Sequence, residues 1–212
     1  NYGRILAEYN YLEKFKNGSL SNHIKINGLE HLKKIKENNR QVVFISGHFN
    51  NFELMAMQID NYGINLAAIY RPLNNFFLNN TMENIRKKYI CKNQIKKGKS
   101  GTRKLIEMFN NGYSIALMID QRVSEGIAVK LFNNDCFTTT IPAQLIKKYN
   151  CDVVPVYIER NNNINFTIDF YEPISFEKYS NIFDITLKLN QILEKMILKN
   201  PNQWIWSHDR WK

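Results

Sequence analysis

Gln41-Val42-Val43-Phe44-Ile45-Ser46-Gly47-His48-Phe49-Asn50-Asn51-Phe52-Glu53 changes character twice in a short space. Residues 41–46 form a β-branched and aromatic run without polar alternation, which suits a strand buried on both faces. The run breaks at Gly47-His48. Apolar residues then recur at a helical period over 51–62. Strand, glycine turn and helix in that order are the unit from which parallel sheets are built.

The same alternation extends in both directions. Strands are expected at 23–26, 65–70, 114–119 and 127–132, with a pair at 152–158 and 164–170 joined by Asn161-Asn162-Asn163. Helices are expected at 1–16, 28–38, 76–89, 102–110, 140–149 and 182–199. Pro142 sits in a first turn, where it is tolerated, and Pro201 stops the last helix. The fold class is therefore α/β, with a largely parallel (mixed) central sheet flanked by helices. His48, Arg71 and Asp120 fall at the C-terminal ends of strands, where open α/β sheets bind their ligands.

Composition narrows the function classes. The 212 residues include 44% hydrophobic and 13% aromatic types, enough for a core and against disorder, and the length predicts a single domain over 1–212. No stretch reaches the roughly 18–20 apolar residues of a membrane span. The opening Asn-Tyr-Gly-Arg is not a signal peptide, and because it lacks Met an upstream segment is expected. Three widely spaced cysteines without a C-x-x-C argue against a disulfide framework or zinc knuckle and fit a reducing compartment. Lys and Arg exceed Asp and Glu by 29 to 19, a net charge of +10. Heavy use of Asn, Lys and Ile makes that charge partly a matter of coding bias.

Three patterns can carry chemistry. On a continuous helix, His48 and Glu53 would be about 140° apart, so they meet only if His48 lies in the turn before the helix. Placed so, Glu53 could fix the imidazole tautomer for a general base. The competing reading is a core or capping histidine beside an unrelated glutamate. Tyr70-Arg71-Pro72-Leu73-Asn74-Asn75 could present a guanidinium fork to phosphate or carboxylate, or hold a structural salt bridge. Asp120-Gln121-Arg122, after a buried strand, could bind substrate hydroxyls, pair with Arg71 or cap a loop.

Other patterns are set aside. Gly98-Lys99-Ser100 resembles the end of a phosphate loop, but Asn93 stands where that motif needs glycine. His23, His31 and His208 are too isolated for a metal set. The basic stretch 92–104 reads first as a solvated face.

Four blocks in order resemble the bacterial lipid A biosynthesis acyltransferases, the late (secondary) lauroyl/myristoyl transferases of the lysophospholipid-acyltransferase superfamily. They are Ser46-Gly47-His48-Phe49-Asn50-Asn51-Phe52-Glu53, Tyr70-Arg71-Pro72-Leu73-Asn74-Asn75, Ile119-Asp120-Gln121, and the Trp-rich segment Pro201-Asn202-Gln203-Trp204-Ile205-Trp206-Ser207-His208-Asp209-Arg210-Trp211-Lys212. Val154-Pro155-Val156 also fits a Val-Pro strand of that superfamily. Phe49-Asn50-Asn51 departs from the smaller residues usual there.

The resemblance implies a glycerol-3-phosphate-acyltransferase-like fold and an O-acyltransferase. His48 would be the general base and Glu53 its orienting partner. Arg71, Asn74, Asn75, Asp120 and Gln121 would bind substrate. It implies an acyl carrier protein as donor, a lipid A precursor as acceptor, a membrane surface as partner, and neither metal nor organic cofactor. The chain would match the catalytic portion of proteins anchored upstream to the inner membrane, at its cytoplasmic face. Related branches acylate other glycolipids or amino-acid lipids. A non-catalytic basic domain that binds membrane or nucleic acid is the remaining alternative, although spread-out charge and the lack of nucleic-acid motifs speak against nucleic acid.

Overall fold

The computed structural model describes residues 2–206 and 209–212; Asn1 of the first expected helix, and Ser207 and His208 of the Trp-rich block, lie outside them. Helices α1 (Tyr2–Glu8) and α2 (Leu12–Lys16) are joined by a 3-10 turn and precede β1 (Ile24–Asn27) and α3 (Leu29–Glu37). Then follow β2 (Val43–Ser46), α4 (Glu53–Asn61), β3 (Leu66–Tyr70), α5 (Phe76–Ile85), β4 (Asn93–Lys96), α6 (Lys99–Asn110) and β5 (Ser114–Met118). The chain continues through β6 (Ile127–Leu131), β7 (Asn134–Thr138), α7 (Ile141–Tyr149), β8 (Val153–Asn161), β9 (Asn165–Phe170) and α8 (Ile182–Lys199).

The central sheet has seven strands in the order β1-β9-β8-β2-β5-β3-β4. Strands β8, β2, β5, β3 and β4 run parallel, whereas β9 is antiparallel to β8 and β1 follows β9. The sheet is therefore mixed but mostly parallel, as expected. Strand β2 lies between β8 and β5 and all four of its residues are buried, which accounts for its unbroken apolar run.

Two strands escaped the sequence reading. Strand β4 lies within the basic stretch 92–104, at the sheet edge, and buries only Ile95. Strand β7 pairs antiparallel with β6, so the expected strand at 127–132 belongs to a separate hairpin and not to the central sheet. Phe132 and Asn133 turn it, with φ of 50° and 61°. Consecutive positive φ angles match the right-handed strand twist and make a tight reversal.

From β2 the chain crosses over β5 to β3, whereas from β5 it returns past β2 to β8. Right-handed crossovers in opposite directions put their helices on opposite faces of the sheet. Accordingly α2 packs on α4, and α7 packs on α8. The loops leaving β2 and β5 diverge, opening a crevice at their C-terminal ends. A continuous core that includes Phe44, Ile45, Ile115, Leu117, Val154 and Val156 runs beneath it.

Candidate active site

Register decides what meets in the crevice. Ser46 of β2 lies opposite Met118 of β5, and Ile119 N–H donates to the Ser46 carbonyl at 2.9 Å. His48 and Asp120 each stand two residues past that matched pair, and they come together. Asp120 Oδ1 lies 2.7 Å from His48 Nδ1, while Asp120 Oδ2 accepts the His48 backbone N–H at 2.9 Å. Trp204 Nε1 donates to the same Oδ2 at 3.0 Å. Asp120 is buried and His48 partly so, with side-chain exposures of 2% and 16%.

Gly47 makes the tight exit from β2. A Cβ there would lie 3.0 Å from the Phe49 ring and 3.1 Å from Leu193, so those side chains would have to give way to it. Asn50 adopts a φ of 41°, a left-handed conformation that asparagine tolerates. The turn is then clamped from outside. Asn50 N–H donates to the Gln203 carbonyl at 3.0 Å and Ile205 N–H to the His48 carbonyl at 2.8 Å. Arg160 donates to Asn50 Oδ1 at 2.8 Å and pairs with Glu8, which also accepts from Asn51 at 2.9 Å. Phe49-Asn50-Asn51, the departure from the family pattern, is thus built into a network joining α1, β8 and the C-terminal segment.

Glu53 opens α4 and His48 lies in the turn before it, the arrangement in which the two could meet. The expected pairing is nevertheless corrected: the imidazole's partner is Asp120. Arg86 holds Glu53 Oε1 through Nε at 2.8 Å and Nη2 at 2.6 Å, and the Tyr9 hydroxyl donates to the same oxygen. Arg86 belongs to a π-helical turn over Arg86–Ile90 that continues α5. Such turns insert a residue and redirect the side chains around them. Periodicity shows nothing of it, and Arg86 and Tyr9 carried no motif.

Electrostatics separate the two carboxylates. Burial alone would lower the His48 pKa, but the charge and hydrogen bond of Asp120 outweigh it and raise the value. Burial pulls Asp120 upward, yet its bonds to His48 and Trp204 hold it below the usual carboxylate range. For Arg86 burial opposes the charge, but Glu53 and Tyr9 together raise its pKa. No hydrogen bond reaches His48 Nε2 among the described residues, which leaves that nitrogen open.

The remaining expected residues are dispersed. Arg71 follows β3, is exposed, and its side chain has no hydrogen bond or ion pair among the described residues. Asp120 accordingly does not pair with it. Asn74 is exposed and Gln121 half-buried. Asn75 caps α5, its side chain accepting the Leu78 N–H at 3.2 Å. An apolar groove of about 450 Å³ lies against Trp204, lined by Phe132, Asn134, Ile197, Leu198, Pro201, Trp206 and Trp211 as well. Among the described residues no cluster of three or more His, Cys, Asp or Glu could hold a metal ion. Nor is any described helix long and apolar enough to cross a membrane.

A buried histidine–carboxylate pair at the switch point of a mostly parallel sheet, beside an apolar groove, defines a site able to draw a proton from a hydroxyl. The chain belongs to the bacterial lipid A biosynthesis acyltransferase family, whose model matches residues 1–212. It is 27% identical over 195 residues to the lipid A biosynthesis acyltransferase of Haemophilus influenzae, covering 89% of this chain and 60% of that protein. Lipid A biosynthesis acyltransferase 2 of Shigella flexneri is 25% identical over 187 residues, covering 84% and 58%. The chain thus spans about 60% of the length of these relatives. The fold is similar to that of PlsC, a 1-acyl-sn-glycerophosphate acyltransferase from Thermotoga maritima. The TM-score is 0.57 at 14% identity, covering 92% of this chain and 80% of that one.

Proposed function

We propose that this chain is the catalytic domain of an O-acyltransferase that moves a fatty acyl group from an acyl carrier protein thioester to a hydroxyl of a lipid A precursor. The observation that carries the reading is the His48–Asp120 pair with Nε2 left open, in a chain of this family. In the neutral imidazole, the bond to Asp120 keeps the proton on Nδ1, so Nε2 is the base. Nε2 takes the acceptor hydroxyl proton as the oxygen attacks the thioester carbonyl carbon. The tetrahedral intermediate then expels the thiolate, and the imidazolium returns its proton to sulfur. Asp120 supports the imidazolium while it exists.

Arg71, free of ion pairs among the described residues, is the cation for an acceptor phosphate or for the carbonyl oxygen as it gains charge. Asn74, exposed after β3, and Gln121, half-buried after β5, would supply further polar contacts. Glu53 adds its negative charge to the field that favours the imidazolium, and the Arg86 guanidinium that fixes it works against that field. The apolar groove suits a fatty tail, and the net charge of +10 suits anionic headgroups and an acidic carrier. The place of action would be the cytoplasmic face of the inner membrane.

His48→Ala is expected to abolish acyl transfer to a lipid A precursor, by about a thousandfold or more, with the circular dichroism spectrum unchanged. Full activity in that variant would remove the proposed base. Mass spectrometry of lipid A from cells with and without the gene should show a difference of one acyl chain. An unchanged lipid A together with acylation of another glycolipid would move the proposal to that acceptor.

A further inference from the structure

We propose that Trp204 is a positioning residue for the catalytic base, acting through Asp120; the proposal rests on the acyl-transfer reading above. Oδ1 of Asp120 faces His48 Nδ1 at 2.7 Å, so the carboxylate plane depends on what holds Oδ2. Oδ2 has two donors, the His48 backbone N–H at 2.9 Å and the Trp204 indole N–H at 3.0 Å. The first belongs to the residue being positioned and moves with it. The indole is the independent reference, because it comes from a segment more than eighty residues away along the chain from Asp120.

The indole is itself well anchored. Trp204 bridges to Phe49 in antiparallel pairing, and the residues on either side of it bond to the backbone of the turn at 48–50. Trp206 stacks on it, with centroids 5.7 Å apart and planes 9° from parallel. A carboxylate held at both oxygens cannot rotate away from the imidazole without breaking a charge-assisted bond in a buried site. The same Trp204 ring walls the apolar groove, so a chain lying there would touch the side chain that orients the base.

Other charged and titratable groups act on this pair from the neighbouring elements. Glu53 of α4 and Arg86 of the π turn bear on His48, Tyr2 of α1 and Arg210 of the C-terminal segment bear on Asp120, and Tyr9 sits on Glu53. None of them bonds to Oδ2 among the described residues, so they stay constant when the indole donor is removed.

The test removes only the donor. β-(3-Benzothienyl)alanine at position 204 keeps the ring's size and replaces N–H by sulfur; Trp204→Phe serves as a second variant. Steady-state kinetics on the lipid A precursor and an NMR titration of the His48 imidazole are followed together. The expected result is a kcat lower by about tenfold with KM within about twofold, the cost of one hydrogen bond to a charged group. With Oδ2 no longer held, the Asp120 carboxylate can turn from the imidazole and supports the imidazolium less. The His48 titration and the acid limb of the pH profile should therefore move to lower pH, by about half a unit or more. Unchanged kcat and titration would overturn the proposal, as would a lower kcat with an unmoved titration, which marks a purely structural side chain. If the native chain transfers no acyl group, the functional reading fails. The titration then still decides whether Trp204 governs His48.

Discussion

Asp120 and Glu53 both lie buried beside His48, yet they are held in opposite ways. Asp120 accepts from His48 and from a neutral indole, so the ionisable group bonded to it gains and loses a proton itself. Glu53 is locked to a guanidinium that never titrates and to a phenol. The first arrangement responds to proton transfer at the imidazole. The second fixes the start of α4 to the 3-10 turn that follows α1 and to the π turn. Proximity to a buried histidine therefore does not decide which carboxylate pairs with it; the neighbour's own chemistry does.

Substitutions can break this contrast. The largest effect is expected for Asp120→Asn, with kcat lower by about a hundredfold to a thousandfold, because the amide neither fixes the tautomer nor supports the imidazolium. His48 would lose the partner that raises its pKa, so burial would carry its titration downward. The acid limb of the pH profile should then move to lower pH although the maximum falls. A stable variant with native kcat would return the orienting role to another group. Glu53→Gln leaves Arg86 buried without its anion and should cost about 3 kcal/mol of stability. Melting would fall by about 6–12 °C. If melting is unchanged while turnover collapses, Glu53 acts on the chemistry and the contrast fails.

Smaller effects lie further from the pair. Arg71→Ala should raise the KM for a phosphorylated acceptor by about tenfold, with melting unchanged, as removal of one charge-assisted contact predicts. Equal KM values for phosphorylated and dephosphorylated acceptors in both proteins would exclude phosphate recognition by Arg71. Least of all, Asn75→Ala should lower melting by about 2–4 °C through loss of a helix cap, roughly 1 kcal/mol. A large rise in KM with no loss of stability would instead make Asn75 a substrate contact.

What the sequence could disclose followed burial and locality. Strand β2 was legible because a strand covered on both faces has no polar positions to confuse the pattern. Strand β4 was not, because an edge strand burying Ile95 alone looks like the basic loop around it. The site divides along the same line. His48 and Glu53 could be named from a short block, but their partners are set by register and packing. Asp120 reaches His48 across 72 positions through the β2–β5 pairing, and Arg86 reaches Glu53 through a π turn that has no sequence period. A signal for Trp204 did exist, in the Trp-rich block, but not for the atom it would contact.

The closure of the turn at 48–50 by the segment at 203–205 also dictates an order of events. Asn50 and Gln203 are 153 positions apart. Contacts of such long range are among the slowest to form, because the loop between them must be ordered first. During synthesis the sheet strands β2 and β5 can pair, and His48 can find Asp120, well before residues 203–205 exist. A ribosome-bound chain at that stage has its base and its carboxylate but no clamp over them. Competence for the reaction therefore waits until residues 203–205 have joined the fold, so the two halves of the site are completed at different times.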